Sequence, residues 1–406
     1  MMFTWHKLAL LAAYLTGLSL LADFLPFSEV FSHLHGETSM VSHVEHASSL
    51  RSQDAQNYLN SIDPKDSLKL YRDRLKLGNI TFAIGIITIK RTRESSNESL
   101  GYLLQSAASI DFLMKSNNLF KNSVPFICNV DTYPDMHLDA VTLYKFLPFT
   151  KRYGDNSLGL PSITLPHSHT RFVDLITHFS KYEKETFDYA FCLLSAAKLN
   201  PQYVILLEED TLPHKDFPVV LDHILNYRLN IKPEKNKTDY LFLKLYYPKK
   251  WQGYGFDVCR LLDLLSVSVL ATLMCSLVHY CALLKYKYNH SINRIVLCWF
   301  GLAVFTCWVL GRQNVSELRR VSKHLYRLQK ADGCCTQAML YPTAGVHNLS
   351  AYLVSRKGHV HTDLAIYDYF YLNDKTTYQV EPNLFFHTGL HTTLDLGAKS
   401  PEEFIF

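Results

Sequence analysis

The chain has no basic arm and no basic stripe. Its 41 Lys and Arg against 37 Asp and Glu leave a formal charge of +4, spread along 406 residues. The electrostatic footprint of a nucleic-acid binder is therefore missing. Internal repeats and low-complexity tracts are missing too. No small-x-small cleavage site follows the first apolar stretch, Leu8 to Ala22; Asp23, Phe24, Leu25 and Pro26 come instead. That favours an uncleaved anchor, behind His6 and Lys7, over a cleaved signal peptide. Its shortness fits the thinner early-secretory membrane. The nine cysteines show no zinc-site spacing.

What is present is apolar: 48% of residues, enough for a sizeable core, and 406 residues suffice for one large α/β domain plus membrane segments or for two ordinary domains. The 19 His and 13% aromatics suit carbohydrate or metal contacts but decide nothing alone. Two further runs are membrane candidates. Leu261 to Leu284 is interrupted only by Asp263 and His279, and Ile295 to Leu310 by no charge. Between them lies a short basic turn, Lys285 to Arg294, so the pair is expected to form a transmembrane hairpin; buried core helices are the competing reading. Lys285, Lys287 and Arg294 place the turn in the cytosol by the positive-inside rule. Lys249, Lys250 and Arg260 before it, and Arg312, Arg319, Arg320 and Lys323 after it, make the charge count nearly even. Parity still puts both flanks on one side, so they are free to build one domain.

Sequons point those flanks to the lumen: Asn79, Asn97, Asn236, Asn314 and Asn348 each begin an N-x-[ST] triplet. Asn289 begins another, inside the expected cytosolic turn. Cys275, Cys281, Cys298 and Cys307 fall in the hairpin as apolar fillers, and Cys259 at its mouth. Cys128, Cys192, Cys334 and Cys335 remain for the soluble part. In an oxidising lumen, Cys128–Cys192 with a vicinal Cys334–Cys335 is one pairing open to them.

Residues 27–77 read as a polar, His-rich, mostly helical stem. The β-branched run Ile80 to Ile89 reads as a strand buried on both faces, ending in the polar run Lys90 to Arg93. Further strands are expected at Val124–Val130, Tyr203–Leu207 and Leu241–Leu245, with helices from Leu100 to Met114 and from Tyr182 to Leu199. Tyr153 to Thr170 reads as loop. Such alternation predicts an α/β domain with a mainly parallel sheet.

The strand Tyr203–Leu207 delivers Glu208, Glu209 and Asp210 at its C-terminal end, the edge where open α/β sheets bind ligands. Carboxylates so placed present oxygen to a hard divalent cation and, through it, to a diphosphate. A solvated strand end is the plainer alternative. His387, after the apolar run Leu384-Phe385-Phe386, is a candidate nitrogen ligand for Mn²⁺ or a packed core residue. Asp363, where a helix is expected to begin, is a candidate general base or an ordinary first-turn acid.

The combination resembles the post-GPI-attachment N-acetylgalactosaminyltransferase family, also called the transmembrane protein 246 family. The stretches carrying the resemblance run in order from Ile86–Ile89 through Asp188–Leu193, Tyr203–Asp210, Leu243–Pro248, Glu317–Arg320 and Cys334–Thr336 to Glu381–Leu384. The hairpin inserted between Pro248 and Glu317 is the most specific feature. The tail His387-Thr388-Gly389-Leu390 is also similar to the branching N-acetylglucosaminyltransferases.

The resemblance implies a GT-A-like glycosyltransferase domain split by a two-helix transmembrane hairpin, with an N-terminal anchor. The expected segments are an anchor at 1–26, the stem at 27–77, a first catalytic part at 78–257, the hairpin at 258–310 and a second part at 311–406. It implies a multi-pass Golgi protein with a luminal catalytic domain, transferring GalNAc from UDP-GalNAc to the first mannose of a GPI glycan. Glu208, Glu209 and Asp210 become the donor-binding DXD-type element, with Glu209 where the family also has Asp. The metal ligands expected are Glu208, Asp210 and His387, for Mn²⁺. Ile89 is expected to line the uridine pocket and Thr336 to lie near the sugar nucleotide. Asp363 follows from mechanism, since inversion needs a base. A hairpin in the lipid bilayer would meet a lipid-tethered acceptor at a fixed height. The competing functions are a UDP-GlcNAc-dependent transferase acting on N-glycans, a non-catalytic GPI-binding protein with a transferase fold, and a transporter.

Overall fold

The computed structural model describes residues 2–91, 99–154, 160, 181–229, 240–255, 257–286, 292–331, 333–356, 361–391 and 399–406. The sequons at Asn97, Asn236 and Asn289, and most of the loop expected from Tyr153 to Thr170, lie outside them. The chain divides into two units, one of His43–Tyr247 with Arg320–Lys399, the other of Met1–Ser42, Pro248–Arg319 and Ser400–Phe406.

The first unit is built on an eight-stranded sheet. Its strands are β1 (Phe82–Thr88), β2 (Val124–Asn129), β3 (Phe149–Lys151), β4 (Tyr203–Glu208), β6 (Tyr240–Lys244), β7 (Arg327–Lys330), β8 (Ala338–Pro342) and β9 (Thr376–Glu381). The order across the sheet is β3-β2-β1-β4-β8-β6-β9-β7. A separate antiparallel ribbon pairs β5 (Thr211–Pro213) with β10 (Phe385–His387). Both stretches flank the acidic cluster and the candidate His ligand, so this small ribbon matters to the site.

The sheet is mixed but mainly parallel, as expected: six strands run one way, β6 and β9 pairing parallel, and only β8 and β7 are reversed. β3, β2, β1 and β4 are mutually parallel. β8 then runs antiparallel to both β4 and β6, and β7 antiparallel to β9. Strand direction is set by pairing across the chain, and nothing in the local pattern of Ala338-Met339-Leu340-Tyr341 encodes it.

Both faces of the sheet are covered, as the unbroken apolar runs require. On β1, Phe82, Ile84 and Ile86 enter one core with Ile205 and Leu207 of β4, while Ala83 enters the opposite core with Val204 and Leu206. Gly85 is the one place where β1 carries no side chain: a Cβ there would meet Phe126 at 2.8 Å and Leu206 at 2.9 Å. The first core is roofed by the helices Tyr102–Ser116 and Phe217–Ile224, the second by Lys181–Ala197, Thr343–Ser355 and Thr362–Leu372. A disulfide between buried Cys128 and Cys192 ties β2 to the helix Lys181–Ala197. Cys334 and Cys335 form the vicinal pair.

The polar stem consists of the helices Glu29–Leu34, Glu37–Ser61 and Pro64–Leu77. It does more than span distance, because Ala55, Leu59 and Tyr71 pack into the first core. The fully buried Asp111 ties the last two of these to the helix Tyr102–Ser116: it accepts from Tyr71 at 2.6 Å, Tyr58 at 2.8 Å and, on its own helix, Lys115 at 2.7 Å. A buried carboxylate is held by such a set of donors or not at all.

The second unit contains two helices long and apolar enough to cross a membrane, Val258–Ala282 and Ile292–Leu310. The shorter apolar segment Leu8–Asp23 belongs to the helix Met2–Asp23, and the Tyr14 hydroxyl there bonds Leu302 O and Thr306 Oγ1. Asp263, one of the two polar interruptions, is paired with Arg312 at 2.8 Å and approached by Arg319 at 3.5 Å. Asn314, one of the sequons, is half-buried and donates its amide to Pro26 O at 2.6 Å and Leu310 O at 2.7 Å.

Candidate functional site

The parallel register of β1 and β4 brings two chain ends to one edge. Ile87 stands opposite Glu208, so the residues just past β1 lie beside the acidic cluster just past β4. Arg91 occupies that place. Its Nε lies 2.7 Å from Glu209 Oε1 and its Nη1 2.5 Å from Asp210 Oδ2. Burial weakens the Arg91 charge, but the Asp210, Glu209 and Glu208 carboxylates outweigh this and raise its pKa. Its side chain is 13% exposed, so this is an interior cation answering interior anions.

The three acids have different environments. Glu209 is 3% exposed, accepting from Thr88 Oγ1 and facing Arg91. The same Thr88 hydroxyl lies 2.7 Å from His137 Nε2. Asp210 is 1% exposed and 3.2 Å from His387 Nε2. Burial opposes its charge, yet Arg91 and His387 together hold it well below the usual carboxylate range. Glu208 is half-buried and accepts from the Thr336 hydroxyl at 3.0 Å. Burial and the neighbouring Asp210 charge raise it to about 7. One carboxyl locked in its ionised form beside another that titrates near neutrality is a pattern of acid–base sites.

The β5–β10 ribbon makes the second contact of this cluster. Thr388 donates its N–H to Asp210 O at 2.7 Å and its hydroxyl at 3.0 Å. Gly389 lies so close that a Cβ would meet Asp210 Oδ2 at 1.9 Å. His387, expected from its place after an apolar run to be either ligand or core, is both buried and in contact with the acids. Burial lowers its pKa against the pull of Asp210, which favours the neutral, coordinating imidazole.

Part of this cluster has the chemistry of a divalent-cation site. Asp210 Oδ1 is buried and has no hydrogen-bond partner, and the neutral imidazole of His387 is adjacent. That is a carboxylate oxygen and a nitrogen of the right chemistry at one point. Glu208 is turned toward Thr336. Among the described residues, no three His, Cys, Asp or Glu side chains are gathered as a ready ligand set. The residues fit two ligands of a cation site, with Arg91 standing where positive charge is called for.

Beside the cluster is a cavity of about 210 Å³. Ile87, Ile89 and Val130 give it an apolar lining, and Glu208, Glu209 and Thr336 a polar one. The structure therefore brings Ile89 and Thr336 to one pocket with the acids. Tyr189, Lys184 and Glu185 complete it from the helix Lys181–Ala197. Lys184 bonds Val130 O at 2.9 Å and Asp188, which also receives Arg152 and Tyr153.

Asp363 is elsewhere. It sits in the first turn of the helix Thr362–Leu372, where its Oδ2 accepts from Cys335 N–H at 2.8 Å and its Oδ1 from Leu364 N–H at 2.7 Å. It does not line the cavity of the acids. Lys244, fully buried, donates to Cys334 O and lies over the rings of Tyr247 and Tyr367. The carboxylate and the ammonium thus fix the vicinal cysteine pair on two sides, next to Thr336.

Sequence reasoning missed Arg91, Thr88 and His137. Arg91 had a signal, since a basic run directly after one buried strand and an acidic run directly after another meet if the strands are parallel neighbours. His137 had none, because it comes from a loop brought in by the 3₁₀ turn Pro134–Met136.

One comparison bears on what this site is for. The family model described as GPI-N-acetylgalactosamine transferase PGAP4 matches residues 82–386, about three quarters of the chain. The match runs from the start of β1 into β10 and so contains Arg91, Glu208, Glu209, Asp210 and Thr336.

Proposed function

The chain belongs to the GPI-N-acetylgalactosamine transferase PGAP4 family, and from that premise we propose that it transfers GalNAc from UDP-GalNAc to the first mannose of a GPI glycan, in the Golgi lumen, on a GT-A-like domain. The single observation that carries the site assignment is the buried cluster of Glu209, Asp210, Arg91 and His387 at the C-terminal edge of parallel strands. Ligands of open α/β sheets bind at that edge.

In this reading, Ile87, Ile89 and Val130 take the flat face of the uracil. Arg91, clamped by two carboxylates, holds positive charge in a fixed place toward the diphosphate without reorganising when the bond breaks. Asp210 and His387 would hold a divalent cation, with Glu208 as the third ligand on turning from Thr336. When bound, the cation supplies Lewis-acid neutralisation of the leaving diphosphate. The vicinal cysteines keep Thr336 at the mouth of the cavity.

The acceptor hydroxyl must lose a proton, and Asp363 is the candidate base from inverting chemistry. Asp363→Asn tests it: loss of kcat with little change in either KM supports the role, and an unchanged kcat removes it.

The reading as a whole is tested with the purified full-length protein in detergent. UDP release is measured from UDP-GalNAc and from UDP-GlcNAc, with and without Mn²⁺, on a mannose-bearing GPI glycan. Preference for UDP-GalNAc, lost in the Glu208→Ala/Asp210→Ala double variant, is expected. Preference for UDP-GlcNAc would favour the N-glycan transferase, and glycan binding with no turnover would favour the non-catalytic protein.

A further inference from the structure

A second, larger cavity lies on the other side of Arg91, with a volume of about 470 Å³. Ligand sites fall at about 300–1,000 Å³. One wall is the stem helix Glu37–Ser61, the other the start of the helix Tyr102–Ser116 and the segment Leu390–His391 after β10.

The lining is chemically specific. It carries Ser48, Ser52, Gln53, Gln56 and Asp139, and no lysine or arginine among its described lining residues. A nucleotide diphosphate has nothing to pair with there. A neutral polyhydroxyl ligand does, because serine hydroxyls, amides and carboxylates match sugar hydroxyls as donors and acceptors.

The groove is also built rather than incidental. Gln105 is 2% exposed and donates Nε2 to Ser48 Oγ at 3.1 Å and Ser52 Oγ at 2.8 Å, while its own Oε1 accepts from Arg51 at 3.1 Å. Each serine oxygen is thereby fixed and keeps its own proton for donation. Gly101, in the left-handed region at φ +68, lets the walls close: a Cβ there would meet Ser52 Oγ at 2.6 Å. At the far end, His391 and Glu45 stand 3.4 Å apart across the gap.

The groove adjoins the acidic cluster, with a space of about 10 Å³ between them. A narrow cleft is lined by Ser99, Gly101, Tyr102 and Asp139 of the groove and by Arg91 and Glu209 of the cluster. Tyr102 marks the junction. Burial, then the Asp210 charge, push its hydroxyl up to about 12, so it stays a donor at any working pH.

We propose that this groove is the acceptor subsite, binding the neutral mannose-bearing portion of the glycan beside the acidic cluster. The identity of the glycan rests on the function proposed above; the neutral, hydroxyl-rich chemistry rests on the groove alone. The stem then supplies half of the acceptor site.

Gln53→Trp and Ser49→Trp test this, since both residues are exposed on the stem helix and a large ring there fills the groove without disturbing the core. The probe is a soluble mannose-bearing GPI glycan fragment. Its Kd is measured by calorimetry on the full-length protein, and its KM from UDP release. Both variants should weaken fragment binding and raise its KM by about ten-fold or more, the loss typical of an occluded anchor contact, with the donor KM and the melting temperature held. Unchanged Kd and KM in both variants overturn the proposal. A wild-type protein that binds the fragment but does not turn over UDP-GalNAc removes the functional reading and leaves the groove supported, whenever Gln53→Trp abolishes that binding.

Discussion

At Gly389 a single missing methyl decides where Asp210 can sit. A Cβ would fall 1.9 Å from Asp210 Oδ2, so Gly389→Ala must displace the carboxylate from Arg91 and His387. A shift of about 1 Å at such a point costs on the order of 100-fold in rate. The expected result is that loss in transferase activity with an unchanged far-UV spectrum; full activity would show that Asp210 need not be where it is. Glu185 yields a prediction of the opposite kind. Burial raises its pKa, with Thr362 and His361 partly opposing. A carboxyl raised on folding is best tolerated protonated, so its contribution is present below the unfolded value, near 4, and lost as pH rises through the folded value. Glu185→Gln should therefore raise the melting temperature at pH 7 more than at pH 4. Equal shifts at both pH values would show that ionisation is not the cause.

Among the elements, those legible from the sequence are the ones whose burial leaves a mark. β1, β2, β4 and β6 are apolar on both faces and stood out as runs. β7, reading Arg327-Leu328-Gln329-Lys330, is an exposed edge and has no such mark. β5 and β10 are three residues each, too short for any period to show, yet they bring His387 to Asp210. The acids were legible because a buried strand points at them. Arg91, their principal partner, required knowing which strands are neighbours. The stem was legible as helix, but its polar composition hid that Ala55, Leu59 and Tyr71 are core residues. In the second unit, the helix Val258–Tyr286 carries Asp263, whose charge is answered by Arg312 at 2.8 Å. Arg312 is 4% exposed and Asp263 half-buried, so Arg312→Met leaves a half-buried carboxylate without its main partner. For a fully buried pair such a loss costs roughly 3–5 kcal/mol, and it is smaller here because Asp263 is half-buried and Arg319 remains at 3.5 Å. Thermal unfolding in detergent should show it, and the Asp263→Leu/Arg312→Met double variant should recover most of it.

Across the whole molecule, the chain leaves the sheet after β6, makes the two apolar helices, and returns to contribute β7, β8 and β9. β8 is the strand that joins β4 to β6, through pairs such as Leu206 with Met339 and Leu243 with Leu340. Before residue 342 has been made, the block β3-β2-β1-β4 and the strand β6 have no shared edge. Assembly is therefore ordered in time by biosynthesis. The N-terminal half can complete its Cys128–Cys192 bond while the hairpin is still being synthesised, but β4 stays an open edge until both apolar helices have left the ribosome. Arrested chains ending near residue 250 should contain that disulfide and still be cleaved readily by protease at β4, whereas chains carried past β8 should be protected. Protection of the short chains would mean that β4 finds another cover while it waits. The same open edge marks this interval as the time when the nascent protein most needs a chaperone.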